Sequence, residues 1–377
     1  MDEGIVSASQ LAFASTGAFV TYVAACALSG VLLGQGRWRA SLLMCLLTGS
    51  GGCLVLASAT TAWVFLTGAA VAGAAAGFAS GAIAYRITRD TPAHIEPRAQ
   101  AVANAGTGAG VALATALIML PGGWRTLFTA AAVLAILSVL GFLALTRETT
   151  RPDTPTQGSE TPGRVAALAL PVALTMLMGF GSSVFWTFGR STAEDAASLD
   201  EGASLLFWGA IGAAGVVGAL SGDLSARFGT RTSWSVSSLL LGASIAGLPF
   251  ATGLPMAAAC GCVFGAVYVI ACGLTIELAR QAWPHAMGTG TAILFATIAV
   301  GQGAGGGVSG LLLDVIGITG LFTVGGALTA LGAGLVWLLP ARTSRPPEER
   351  DAHTRSRHRR RPGDGVVCAL AGGEGTP

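Results

Sequence analysis

Long uncharged stretches make up most of the chain, and short charged or proline-containing segments separate them. A helix needs about 20 apolar residues to cross a bilayer, so each stretch reads as one span or a pair. Residues 11–33 predict one span. Residues 40–85 run without a charge and predict two, turning near Ala59-Thr60-Thr61. Residues 99–120 and 126–146 follow, broken at Pro121-Gly122-Gly123-Trp124-Arg125. Residues 147–164 are polar and carry Pro152, Pro155 and Pro162, the composition of a linker. Beyond it, 165–189 and 202–220 predict one span each. Residues 232–276 predict two, turning at Gly253-Leu254-Pro255, and 286–313 and 315–340 complete the set. The pattern is five spans, a linker and six spans: a helical half at 1–146, a linker at 147–164, a second half at 165–340 and a basic, disordered tail at 341–377. The expected class is an all-α integral membrane protein.

Composition agrees. Charged residues are 11% and hydrophobic residues 52%, with mean hydropathy +0.67, whereas a soluble domain carries about 25% charged residues. All 21 basic residues are Arg. Six of the seven Cys (Cys26, Cys45, Cys53, Cys260, Cys262, Cys272) lie inside apolar runs at no metal or redox spacing, and read as small packing residues. Met1 to Gln10 has two acids and no basic segment, unlike a secretory leader.

Arginine placement orients the spans. With loops numbered alternately, one side holds nineteen Arg and the other only Arg125 and Arg190. The positive-inside rule puts the rich side in the cytoplasm, with the N-terminus outside and the C-terminus inside, in the inner (plasma) membrane.

The chain is also a repeat. Ala27-Leu28-Ser29-Gly30 recurs as Ala219-Leu220-Ser221-Gly222, each leading from an apolar run into a glycine and two arginines. Ser80-Gly81 aligns with Cys272-Gly273, and Leu127-Phe128-Thr129 with Leu321-Phe322-Thr323. These offsets contain an even number of crossings, so the two units are parallel repeats. The span at 165–189 has no mate in the first half.

The segment Gly222, Leu224, Arg227, Gly229, Arg231 resembles the signature loop of the major facilitator superfamily, Gly-x-Leu-x-Asp-x-x-Gly-x-Arg. Ala226 stands at that family's acid, with Asp223 three residues earlier. The first-half copy keeps Gly30, Leu32, Gly36, Arg37 and Arg39, with no acid. Arg89 to Arg98, with Pro92 and Pro97, resembles the basic loop after that family's fourth helix. Gly123-Trp124-Arg125 resembles the start of its sixth, and Gly106, Gly108, Gly110 and Gly301, Gly303, Gly305 its glycine-rich helices five and eleven. A fainter likeness is to bacterial YbfB/YjiJ-type members and drug or sugar effluxers. The resemblance implies a major-facilitator fold of two parallel six-helix repeats, here lacking the first helix and so with eleven transmembrane helices. It also implies alternating access, with Arg37, Arg39, Arg227 and Arg231 in an inner-gate loop and the glycine ladders as helix-packing faces, static or sliding.

Polar groups inside a bilayer are expensive and mark candidate sites. Asp223, Glu277 and Asp314 all lie near span ends. Tyr22, Asn104, Trp186, Tyr268 and Gln302 lie deeper and are the cavity candidates, and Trp208 reads as an interfacial anchor. Glu194, Asp195, Asp200 and Glu201 read as a solvated outer loop, His285 as a loop residue, and Arg355 to Arg361 as a topology-enforcing tail. No Walker-type glycine loop, nucleophile set or metal-spaced cluster occurs, so neither an enzyme, a cofactor nor a metal is expected. The expected function is movement of a small solute, by efflux, in a monomer whose partners are that solute, the lipid bilayer and a coupling proton, with no nucleic acid. The alternative is a degenerate, non-transporting scaffold or sensor.

Overall fold

The computed structural model describes residues 6, 8–92, 94–146, 165–284 and 286–339. The linker at 147–164, His285, Pro340 and the arginine tail lie outside the described residues, as does most of Met1 to Gln10. Residues through Leu339 belong to one compact unit.

The described elements are helical. The first half holds α1 (Ala8–Gly34), α2 (Trp38–Ala57), α3 (Ala62–Asp90), α4 (Glu96–Ile118) and α5 (Gly123–Leu145). The second holds α6 (Ala166–Ala197), α7 (Glu201–Gly215), α8 (Ser221–Phe228), α9 (Thr230–Gly247), α10 (Leu254–Ala282) and α11 (Met287–Leu335). A 3-10 stretch, Val216–Leu220, joins α7 to α8, so this span bends rather than ends. Among the described residues ten helices are long and apolar enough to cross a membrane. The last of these, Met287–Leu338, is 52 residues long and breaks at Gly317, where φ is 67° and ψ 173°. It is therefore two helical segments joined at Gly317, so the ten long helices among the described residues comprise eleven segments. The break falls three residues after Asp314 because Gly317 can adopt a positive φ that Asp314 would resist.

Two expectations shift. The hinge at Ala219 to Arg231 is helical through Phe228, and only Gly229 leaves helical geometry, with φ 81° and ψ 150°. Asp223 in the first turn and Arg227 in the last complement the helix dipole of α8. The acidic segment from Glu194 to Glu201 is also more ordered than a solvated loop. Asp200 Oδ1 accepts from Ala203 N at 2.7 Å, capping α7, and Arg190 Nε donates to Glu194 at 2.9 Å and to Ser204 Oγ at 2.6 Å. At the same end, Arg125 donates to the carbonyls of Ala57 (2.7 Å) and Ala59 (2.9 Å), closing the C-terminal end of α2. Both arginines of the arginine-poor side thus serve local structure.

Small residues let the helices approach. A Cβ on Gly52 would lie 2.3 Å from Ala72 N, and one on Gly73 2.5 Å from Ala18 Cα, the close backbone packing that replaces hydrophobic drive in lipid. The halves differ in their cores. The second buries one continuous cluster around Phe185, Phe207, Phe264 and Phe322. The first buries three small, separate clusters. The helix responsible is α6, which packs most extensively on α11. Among the described residues the first half has no helix in the equivalent place.

Candidate functional site

A cavity of about 370 Å³ lies between the halves, walled by α1, α3 and α4 on one side and α10 and α11 on the other. Its lining obeys the repeat. Ala76, Ser80 and Ala84 of α3 stand at the same spacing as Tyr268, Cys272 and Ile276 of α10. Gln100, Ala103, Asn104 and Thr107 of α4 match Phe295, Ile298, Ala299 and Gln302 of α11. All fourteen face the cavity, so the two helix pairs present the same register to a shared space.

Of the five sequence candidates, the structure places Tyr22, Asn104, Tyr268 and Gln302 on the cavity wall. Trp186 of α6 stands behind it, edge-on to Tyr268 with ring centroids 5.3 Å apart. Its indole N–H is buried without a hydrogen bond. Trp208 lies one layer further back, 5.9 Å from Trp186, as part of the packed aromatic cluster and not as a lone interfacial anchor. Phe185 stacks on Phe264 at 3.7 Å, and Phe264 on Tyr268 at 5.6 Å, so the wall is backed by rigid ring contacts.

The polar groups of the lining are held in place by specific bonds. Gln302 Nε2 donates to Tyr268 Oη at 2.8 Å. Asn104 Nδ2 donates across the halves to the Val269 carbonyl at 2.8 Å. Gln100 Nε2 donates to the Ala84 carbonyl at 2.9 Å. Thr291 is fully buried and its Oγ1 is unpaired. Ser80, Gln100, Thr291, Phe19 and Phe295 were not singled out from the sequence. Only Ser80 carried a signal, its alignment with Cys272. Among the described residues the lining has no Asp, Glu, Arg or His.

The arginine-rich end of the bundle is closed by contacts between the halves. Gly222 of α8 packs on the start of α4, where a Cβ would lie 2.7 Å from the Pro97 carbonyl oxygen. Asp223 pairs with Arg98 at 3.8 Å. Asp223 therefore reaches the opposite half although Ala226 does not carry the acid. Both partners are largely exposed, and such pairs contribute about 0–1 kcal/mol, so backbone packing at Gly222 is the stronger element. On the other side, Thr88 Oγ1 lies 3.4 Å from Met287 Sδ. Leu224 packs against the second-half core.

The hinge arginines lie on rings and carbonyls. Arg231 donates to the Leu339 carbonyl and lies over the Trp337 ring at 6.0 Å, and Arg227 lies over Phe228 at 5.3 Å. In the first half, Trp38 supports Arg39 at 5.4 Å and the buried Arg86 at 4.4 Å, and Arg86 also pairs with Asp90. An aromatic face attracts a guanidinium, so Trp38 adds ring contacts here to the Arg86–Asp90 pair. Arg37 precedes α2, and Gly36 takes a positive φ of 73°.

The glycine ladders separate into different roles. Gly108 meets Gly215 of α7 backbone to backbone, with 2.5 Å available to a Cβ. Gly301 and Gly305 are pressed against Met176 and Phe180 of α6, within the same half. Gly106 and Gly110, their repeat mates, have nothing within 4 Å, and neither does Gly303. Of the six, Gly108 alone makes a close contact between halves.

The model of the major facilitator superfamily matches residues 3–293 and 172–370. The chain belongs to the major facilitator superfamily. No curated protein matches it significantly. Its fold matches a variant of the E. coli fucose:proton symporter FucP with a TM-score of 0.67, over 89% of this chain and 92% of that one, at 15% identity. It is a multi-pass membrane transporter and not an enzyme, and its two halves with a cavity between them are the arrangement in which such transporters bind solute.

Proposed function

We propose that this transporter moves an uncharged small solute across a bacterial inner membrane by alternating access, in the direction of efflux. One observation carries the reading: the cavity is lined in matching register by repeat-related helices of both halves, and the halves meet at the arginine-rich end through Gly222 on Pro97 and Asp223 on Arg98. Rocking the halves apart there would open the cavity to that side. The split of nineteen arginines to two supports a cytoplasmic position for that end and for the C-terminus, and an outside N-terminus. In this reading the second-half hinge, from Gly222 to Arg231, is an inner gate. Gly36, Arg37 and Arg39 form its first-half counterpart, a ring-supported brace.

The similar symporter is named for proton coupling. Here a coupling carboxylate would stand outside the described lining, because that lining holds none. The test is solute counterflow in proteoliposomes containing the full chain. Exchange that is saturable and lost on blocking the Gly222 contact supports the reading, and its absence in folded, inserted protein overturns it.

A second reading is favoured by one observation. Gly106 and Gly110 face open space where Gly301 and Gly305 are covered by α6. With that face of α4 uncovered among the described residues, the chain would serve as a non-transporting scaffold, and the same counterflow experiment separates the two readings.

A further inference from the structure

The Gln302–Tyr268 pair offers more than a structural hydrogen bond. Both residues line the cavity, on neighbouring helices α11 and α10. As placed, Gln302 Nε2 donates to Tyr268 Oη at 2.8 Å. That leaves the tyrosine O–H to donate elsewhere and Gln302 Oε1 to accept. Rotating the carboxamide by 180° exchanges the roles: the tyrosine donates to Oε1, and the amide N–H group and the phenol lone pair remain. In either orientation the pair shows the cavity at least one donor and one acceptor. Thr291 borders the same cavity, but its Oγ1 is sealed from it, so the Gln302–Tyr268 pair carries the polar recognition.

The rest of the wall is apolar, with Phe19, Phe295, Ile83 and Ile276 among its larger groups. No described lining residue is ionised, so a charged solute would lose its hydration without a counter-charge. The volume, about 370 Å³, lies at the small end of the range of ligand pockets, about 300–1,000 Å³.

Resting on the transport reading above, we infer the substrate class. It is an uncharged small solute with a hydroxyl or carboxamide that both donates and accepts, set on an apolar body. The Gln302–Tyr268 pair is the specificity-determining contact for the polar group. An ion is rejected for lack of a counter-charge, and a purely apolar ring for leaving the pair unsatisfied.

The experiment uses probes on one ring: benzamide, benzyl alcohol, benzoate, benzylammonium and toluene. Binding to the full chain in nanodiscs is read by tryptophan fluorescence, since Trp186 abuts Tyr268, and by thermal stabilisation. Benzamide and benzyl alcohol should bind saturably, and the two ions and toluene about tenfold more weakly or worse. Gln302→Leu should weaken benzamide by about tenfold while leaving toluene unchanged. Tyr268→Phe, which keeps the ring and removes the hydroxyl, should do the same if Gln302→Leu fails to fold. The inference is overturned if an ion binds as well as benzamide, if none of the five binds, or if both variants keep full benzamide affinity. Counterflow of benzamide in proteoliposomes keeps the two levels apart. Binding without flux would refute transport and leave the class standing, whereas flux without discrimination among the probes would do the reverse.

Discussion

Gly222 and Pro97 pack backbone to backbone across the two halves at the arginine-rich end: a Cβ on Gly222 would sit 2.7 Å from the Pro97 carbonyl oxygen. Its repeat mate, Gly30, has nothing within 4 Å. The contact at this end is therefore asymmetric, docked through α8 and α4 and looser beside α1. Gly222→Leu should force α8 away from α4 and lower counterflow by about tenfold, whereas Gly30→Leu should leave it within about twofold. Membrane insertion, checked by protease protection, should be normal in both. Equal losses in the two variants would show that the docked contact has no special role.

Gly229 tests backbone geometry separately from crowding. Its φ is 81°, and a Cβ there meets nothing within 4 Å. Gly229→Ala and Gly229→Leu should therefore cost alike, roughly 1–3 kcal/mol, and both should reduce transport while the chain still inserts. If the alanine variant is harmless and the leucine variant is not, side-chain size and not left-handed backbone limits the site.

Trp38 supports two arginines of the first half, Arg39 and Arg86. Its ring lies 4.4 Å from the Arg86 guanidinium carbon and 5.4 Å from that of Arg39, and Arg86 is 8% exposed. Trp38→Leu should remove roughly 1–2 kcal/mol, lowering the melting temperature in detergent, and Trp38→Phe should lose less. A melting temperature that is unchanged in Trp38→Leu would rule out the ring as a support.

Topology is checked with fusions. A reporter after Arg361 should read cytoplasmic and one at Met1 periplasmic, because nineteen of 21 arginines fall on one side. A cytoplasmic signal at Met1 would contradict the span count.

Energy coupling follows from the lining. Proton-driven accumulation needs a group in the cavity whose charge changes as it is buried, and the described lining has no Asp, Glu or His. Glu277 is already held by Arg280 Nε at 2.7 Å and by Gln281 Nε2 at 2.6 Å, and Asp223 is exposed beside Arg98 at the arginine-rich end, outside the cavity lining. With only a pH gradient imposed, the 377-residue chain should equilibrate its solute and not concentrate it. Accumulation that survives in Asp223→Asn, Glu277→Gln and Asp314→Asn variants would defeat this argument.

What the sequence determined by itself was everything set by length, charge and local backbone chemistry. The spans follow from runs of apolar residues, and the ends from where Arg and Gly sit. The parallel repeat is visible as Ala27-Leu28-Ser29-Gly30 and its copy, and the family resemblance as the residues from Gly222 to Arg231. Tyr268 and Gln302 stood out because polar groups are rare inside spans. What only the tertiary structure decided was which face of each helix looks where. In lipid the outer face of a helix is as apolar as its inner face, so periodicity gives no direction. Gly106, Gly108 and Gly110 look identical in sequence, yet only Gly108 meets another helix backbone. Gln302 and Tyr268 are 34 positions apart, and nothing local says that they touch. Their bond exists because α10 and α11 pack side by side, and that packing turns two isolated polar residues into one donor-acceptor pair.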